Sequence, residues 1–176
     1  MRKHLWVRLL SDSVVLNAAT LGPVGKWTLA PGTWGSLAGL IWFAIAYLNL
    51  NYLATLLFTL FSAYLAIQLC WEAEFRMQKR DPPQIVLDEF VAIPVCFLGM
   101  QDLLHSEIGW LALLLGFVFF RFYDVLKPLG LRRFQNLPGG IGVVADDLVA
   151  ALATCLTLNL IAVLALYSGH LDPYIP

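Results

Sequence analysis

From Trp27 to Trp71 the chain carries no Asp, Glu, Lys or Arg, and a second charge-free stretch runs from Leu148 to Tyr167. Each is long enough to cross the hydrocarbon of a bilayer, where backbone polar groups must be satisfied within the protein. With 60% hydrophobic residues, 13% charged residues and a mean hydropathy of +0.75, the chain has too little polar surface for a soluble domain of 176 residues. The expectation is an all-α, polytopic membrane helical bundle forming a single domain over residues 1–176. A net charge of −1 gives no footing for nucleic acid. Cys70, Cys96 and Cys155 fall within or at the end of apolar segments, as small hydrophobes do, and an odd number so placed argues against a disulfide framework. The start, "MRKHLWVRLL", has the positive end of a signal peptide. Arg8, Ser11, Asp12 and Ser13 break its apolar run, so residues 1–30 read as a retained interfacial lead-in.

Five transmembrane helices are expected, at about Trp34–Leu50, Tyr52–Trp71, Val86–Leu104, Ile108–Leu126 and Asp147–Tyr167. Alternating spans put all eleven Lys and Arg on one side, which by the positive-inside rule is the cytoplasm, with the N-terminus inside. Four stretches then fall at cytoplasmic helix ends: "PGTWGS" (31–36), "DPPQIVLDE" (81–89), "RFYDVLKP" (121–128) and "GGIGVVADD" (139–147). Far apart in sequence, they meet at one membrane face.

Their chemistry is acidic, with two cations. Asp88 and Glu89 open the third helix, Asp124 closes the fourth, and Asp146 and Asp147 open the fifth. Clustered carboxylates repel unless something positive lies between them, and hard oxygen ligands suit Mg²⁺. Acids at a helix N-terminus also complement the helix dipole, a simpler account of any one of them. That account fails for Asp124 at a C-terminal end, which needs a partner. Arg121 and Lys127, each three residues away, can pair with it along the helix, and Arg is shaped to grip phosphate oxygens. Gly139, Gly140 and Gly142 precede a helix start. Pro31 and Gly32 lead into another, with Thr33 or Ser36 as its N-cap. Gly35 and Gly39 form a GxxxG suited to helix packing. A phosphate ester that needs a membrane enzyme is one carried by a lipid, so the residues point to a metal-dependent enzyme on a phospholipid phosphate.

Other signals carry less. Cys70-x5-Arg76 has the spacing of cysteine phosphatases, but Glu72 and Glu74 within it would raise the thiol pKa, and no glycine permits the loop. His4, His105 and His170 are far apart. A divalent-cation transporter would carry acids near the bilayer midplane, where these spans have none. A scaffold anchored by its charges leaves Asp124 unexplained.

Taken in order and at their spacing, "PGTWGS", "DPPQIVLDEF", "FRFYDVLKP" and "GGIGVVADDLVA" resemble the phosphatidylglycerophosphatase A family of bacterial membrane enzymes, over about Gly22 to Ala151. The resemblance implies Mg²⁺-dependent hydrolysis of phosphatidylglycerophosphate to phosphatidylglycerol and inorganic phosphate, in the inner leaflet of the cell inner membrane, with the site facing the cytoplasm. It implies that Asp88, Glu89, Asp146 and Asp147 hold the metal, and that Asp124 is a further ligand, base or nucleophile beside it. Arg121 and Lys127 would neutralise the phosphoryl group, and Thr33, Ser36, Gly139 and Gly140 would line the phosphate pocket. Ala92 and Ala151 stand where the family has glycine, and Leu129–Gly130 where it has Trp-Pro; no carboxylate is lost. Attack by metal-activated water and an aspartyl-phosphate route are both compatible with these residues. Another lipid-phosphate phosphatase or a phosphotransferase would share them.

Overall fold

The computed structural model describes residues 6–27, 29–128 and 140–168, and no strand occurs among them. Its helices are α1 (Asp12–Ala19), α2 (Pro31–Ala46), α3 (Tyr52–Arg76), α4 (Leu87–Ala92), α5 (Gln101–His105), α6 (Gly109–Leu126) and α7 (Gly140–Tyr167). Three of them, α3, α6 and α7, are long and apolar enough to cross a membrane, rather than the five expected.

The two shortfalls have local causes. α2 has 16 residues, about 24 Å at the helical rise, and ends at Ala46; Asn51 then caps α3 by accepting from the Ala54 N–H (2.8 Å). The expected span over Val86–Leu104 is broken. α4 runs for six residues and passes into a 3-10 helix, Ile93–Phe97, with Pro94 in its first turn. Proline donates no backbone hydrogen bond there, and Gly99 then turns the chain at φ +81°. The Asn159 amide of α7 secures this turn by donating to the Leu98 carbonyl (3.2 Å) and to its own Cys155 carbonyl (2.9 Å). Mean apolarity conceals the break because the segment is apolar for a different reason. Val91 to Phe97 are all buried in protein rather than facing lipid.

The short α4 is therefore the hub. Val91 packs with Ala66, Cys70, Ala73 and Val144 from α3 and α7, while Ala92, Ile93 and Phe97 pack with Phe43, Phe120, Ala151 and Leu158. Its approach to α2 depends on absent side chains. A Cβ on Gly35 would lie 2.7 Å from Val86 Cβ, and one on Gly39 2.7 Å from the Phe90 carbonyl. The expected packing role of that pair is what the structure has.

The lead-in folds against the end of α3. Val7, Val15 and Ala19 are fully buried. Arg76 pairs with Asp12 (2.8 Å) and Glu72 (3.1 Å) and donates to the Leu10 carbonyl (3.0 Å). Cys70 lies buried within continuous helix, so Cys70 and Arg76 build no phosphate loop.

Candidate active site

Chain direction brings the start of α2, the 77–86 loop with the start of α4, the end of α6 and the start of α7 to one end of the bundle. A pocket of about 320 Å³ opens there. It is lined by Ala30, Pro31 and Gly32, by Asp81, Pro83, Ile85, Asp88 and Glu89, by Arg121, Asp124 and Lys127, and by Val143, Asp146 and Asp147. All five acids and both cations read from the sequence meet in this one cavity.

Within it the charges sort into two groups. Asp88, Glu89 and Asp147 each place a carboxylate oxygen so that the three lie within 4.8 Å of one another. Burial pushes the Asp88 carboxyl well above the usual range, and the neighbouring Glu89 charge pushes it further. Burial also raises Glu89; its hydrogen bond with Asp88 and the Arg121 charge oppose this, while Asp124 adds to it. Glu89 Oε2 is buried with no hydrogen-bond partner among the described residues. Three converging carboxylates, one with an orphaned oxygen, are the donor set a hard divalent cation takes, so the residues fit Mg²⁺.

The second group is an ion-pair chain. Arg121 Nη1 lies 2.7 Å from Asp124 Oδ2 and 4.0 Å from Glu89 Oε1. Lys127 Nζ lies 3.3 Å from Asp124 Oδ1 and pairs closely with Asp146 Oδ2. The partner that Asp124 requires at its helix end is thus supplied on both oxygens. Burial alone would lower the Lys127 pKa. The hydrogen bond to Asp146 and the charges of Asp146, Asp124 and Asp147 more than reverse it, raising the ammonium above its ordinary value. Asp146 belongs to this chain and not to the cluster of three. Adjacent residues on a helix point about 100° apart, so Asp147 faces Asp88 and Asp146 faces Lys127.

The glycine-bearing helix starts differ from the expectation. α2 is capped by Ala30, in a left-handed conformation (φ 48°) with Pro31 at N1, and no side chain satisfies its first turn. Thr33 and Ser36 lie inside the helix and are absent from the pocket lining. Ser36 is fully buried; its hydroxyl donates to the Gly32 carbonyl (2.8 Å) and accepts from Arg121 Nη1 (3.2 Å). α7 begins at Gly140, so the acid pair lies two turns inside it. Gly140 faces away from the pocket, where a Cβ would stand 2.1 Å from the Ile67 carbonyl of α3. Gly139 lies outside the described residues.

Two lining positions had no site role assigned from the sequence, where Gly32 read only as part of a helix entry. Gly32 touches the acid cluster itself, since a Cβ there would lie 2.2 Å from Glu89 Oε1. Asp81 sits at φ 46°. Of the five non-glycine residues at positive φ among those described, Ala30, Asp81 and Lys127 line this pocket, and strain of that kind gathers at functional sites. The only advance sign of Asp81 was an acidic residue directly before two prolines.

The family model for phosphatidylglycerophosphatase A matches residues 17–162. A protein of Haemophilus influenzae named phosphatidylglycerophosphatase A is 38% identical over 124 residues, covering 70% of this chain and 73% of that protein. One of Escherichia coli with the same name is 31% identical over 128 residues, covering 72% and 70%. A Bacteroides thetaiotaomicron protein provisionally named a phosphatidylinositol-3-phosphatase is 35% identical over 132 residues, covering 69% and 76%. No solved structure matches the chain. With the motif blocks gathered in one pocket and the match extending over most of its length, the chain belongs to the phosphatidylglycerophosphatase A family of phosphatases.

Proposed function

We propose that this protein hydrolyses the terminal phosphate of phosphatidylglycerophosphate in a Mg²⁺-dependent reaction, releasing phosphatidylglycerol and inorganic phosphate as a step of phospholipid biosynthesis. The observation that carries the reading is the meeting of an acid cluster fit for Mg²⁺ with an arginine and a lysine in one pocket at the end of membrane-length helices. The Lys and Arg distribution supports a cytoplasmic site in the inner membrane, with the lipid in the inner leaflet and the N-terminus inside. Relatives carrying both kinds of name act, by those names, on a phosphomonoester of a lipid headgroup, which is the chemistry this pocket suits.

Asp88, Glu89 and Asp147 would hold the ion, which when bound supplies Lewis-acid stabilisation of phosphoryl charge and lowers the pKa of water. Nη1 of Arg121 makes each of that residue's hydrogen bonds and ion pairs among the described residues. Its remaining guanidinium nitrogens are the donors available to phosphate oxygens. In the first turn of α2, Pro31 has no N–H and Thr33 donates to the Ala30 carbonyl (2.9 Å), so the Gly32 N–H is the backbone donor this helix start adds on the same side. Lys127, held so firmly protonated, stabilises negative charge rather than giving up its proton. Asp124 has an oxygen on each cation, which suits an orienting carboxylate and favours attack by water over an aspartyl-phosphate at this residue.

Phosphate release from phosphatidylglycerophosphate by purified protein in detergent tests the reading. EDTA should abolish it and Mg²⁺ restore it. Turnover unaffected by EDTA would refute the metal role, and faster release from another lipid phosphate would refute the substrate.

A further inference from the structure

Asp81 lines the pocket beside the charged groups, yet nothing assigned above uses it. Its backbone is held in an unusual state. At φ 46° it occupies the left-handed region, which costs an L-residue roughly 1–2 kcal/mol. Pro82 follows directly and further narrows the conformations open to Asp81. Two features fix this state: its N–H donates to Glu74 Oε1 at 2.6 Å, and Pro82 is fully buried. The carboxylate is exposed and makes no hydrogen bond or ion pair among the described residues.

Charge makes that carboxylate conspicuous. The pocket already contains Asp88, Glu89, Asp124, Asp146 and Asp147, while Arg121 and Lys127 are engaged with Asp124 and Asp146. A sixth, unpaired carboxylate repels an anionic phosphate ester unless the ester brings it a donor. A hydroxyl on the headgroup that carries the phosphate is such a donor, and a charged carboxylate on a fixed backbone is a strong acceptor for it.

We propose that Asp81 is a specificity-determining residue that accepts a hydrogen bond from a free hydroxyl of the phosphate-bearing headgroup. The pocket then selects phosphate on a hydroxylated, polyol headgroup over phosphate attached directly to diacylglycerol. The inference rests on the lipid-phosphatase reading above and extends it to substrate choice.

The test compares wild type, Asp81→Gly and Asp81→Asn on three lipids: phosphatidylglycerophosphate, its analogue lacking the free headgroup hydroxyl, and phosphatidic acid. Glycine adopts positive φ without strain and asparagine tolerates it, so both variants keep the turn. Losing a hydrogen bond to a charged group corresponds to about a 10- to 100-fold fall in kcat/KM. That fall is expected in both variants for phosphatidylglycerophosphate alone, and wild type should show a similar preference for it over the deoxy analogue. Equal losses on all three lipids, or no loss on any, overturn the assignment of Asp81 while leaving the phosphatase reading intact. A wild-type protein that hydrolyses none of them overturns both.

Discussion

Replacing Gly32 by alanine adds one methyl group at the point where α2 meets the acid cluster. That Cβ would lie 2.2 Å from Glu89 Oε1, 3.3 Å from Glu89 Cδ and 3.4 Å from Arg121 Nη1. The arginine contact is tolerable; the carboxylate must retreat by roughly 1 Å, a displacement that can cost about a hundredfold in rate when it falls on a catalytic constellation. Stability should respond differently. Alanine favours helix over glycine by up to about 1 kcal/mol, offsetting a strain of about 1–3 kcal/mol that the mobile end of a Glu side chain can partly relieve. Gly32→Ala is therefore expected to unfold within a few degrees of wild type while losing about two orders of magnitude in Mg²⁺-supported phosphate release, with a higher Mg²⁺ requirement. Phosphate release titrated with Mg²⁺, beside thermal unfolding of the same preparation, measures both. Activity within threefold of wild type at the same Mg²⁺ concentration would refute the placement of Glu89. Gly35→Ala and Gly39→Ala provide the contrast: their Cβ atoms meet backbone and Cβ atoms that cannot swing away, so these variants should lose thermal stability first.

Three further outcomes are expected. Mg²⁺ should raise the unfolding temperature of wild type, and Asp147→Asn should remove both that shift and the activity while remaining folded, since it also relieves repulsion among three converging carboxylates; calorimetry with Mg²⁺ or EDTA decides this. Arg121→Lys keeps the charge but cannot hold Asp124 and Ser36 while presenting a planar fork to phosphate, so kcat/KM should fall at least about tenfold. Lys127→Met removes the cation that Asp146 and Asp124 share while Asp124 keeps Arg121, and is expected to cost about 3–5 kcal/mol in unfolding free energy. Adding Asp146→Asn should recover much of that stability but little activity, a double-mutant cycle that separates the fold's need for the pair from the reaction's.

Much of the site was legible because its parts are local in sequence. The spacing of Arg121, Asp124 and Lys127 predicts their pairing along α6, and it occurs. What sequence could not assign was direction. Asp146 and Asp147 are neighbours with identical side chains, and only their rotation about α7 sends one to Lys127 and the other to the cluster. Ser36 reads as a cap until the helix is seen to start at Pro31, which leaves its hydroxyl buried beneath Arg121. The span count failed for a related reason. Phe90 to Met100 carries no charge, as a lipid-facing helix would, and hydropathy does not record whether protein or lipid surrounds it. Pro94 and Gly99 were the visible marks of the break.

The placement of Asp88 and Glu89 on that enclosed segment has a mechanical consequence. Thinning or thickening of the surrounding lipid tilts the long outer rods, but the short piece bearing two of the three clustered acids has neighbours of protein on every side from Val91 to Phe97. It is suspended at one end by the Gly35–Gly39 seam and at the other by Asn159. The acid pair is thus mounted on an inner frame, shielded from deformations that reach the outer helices.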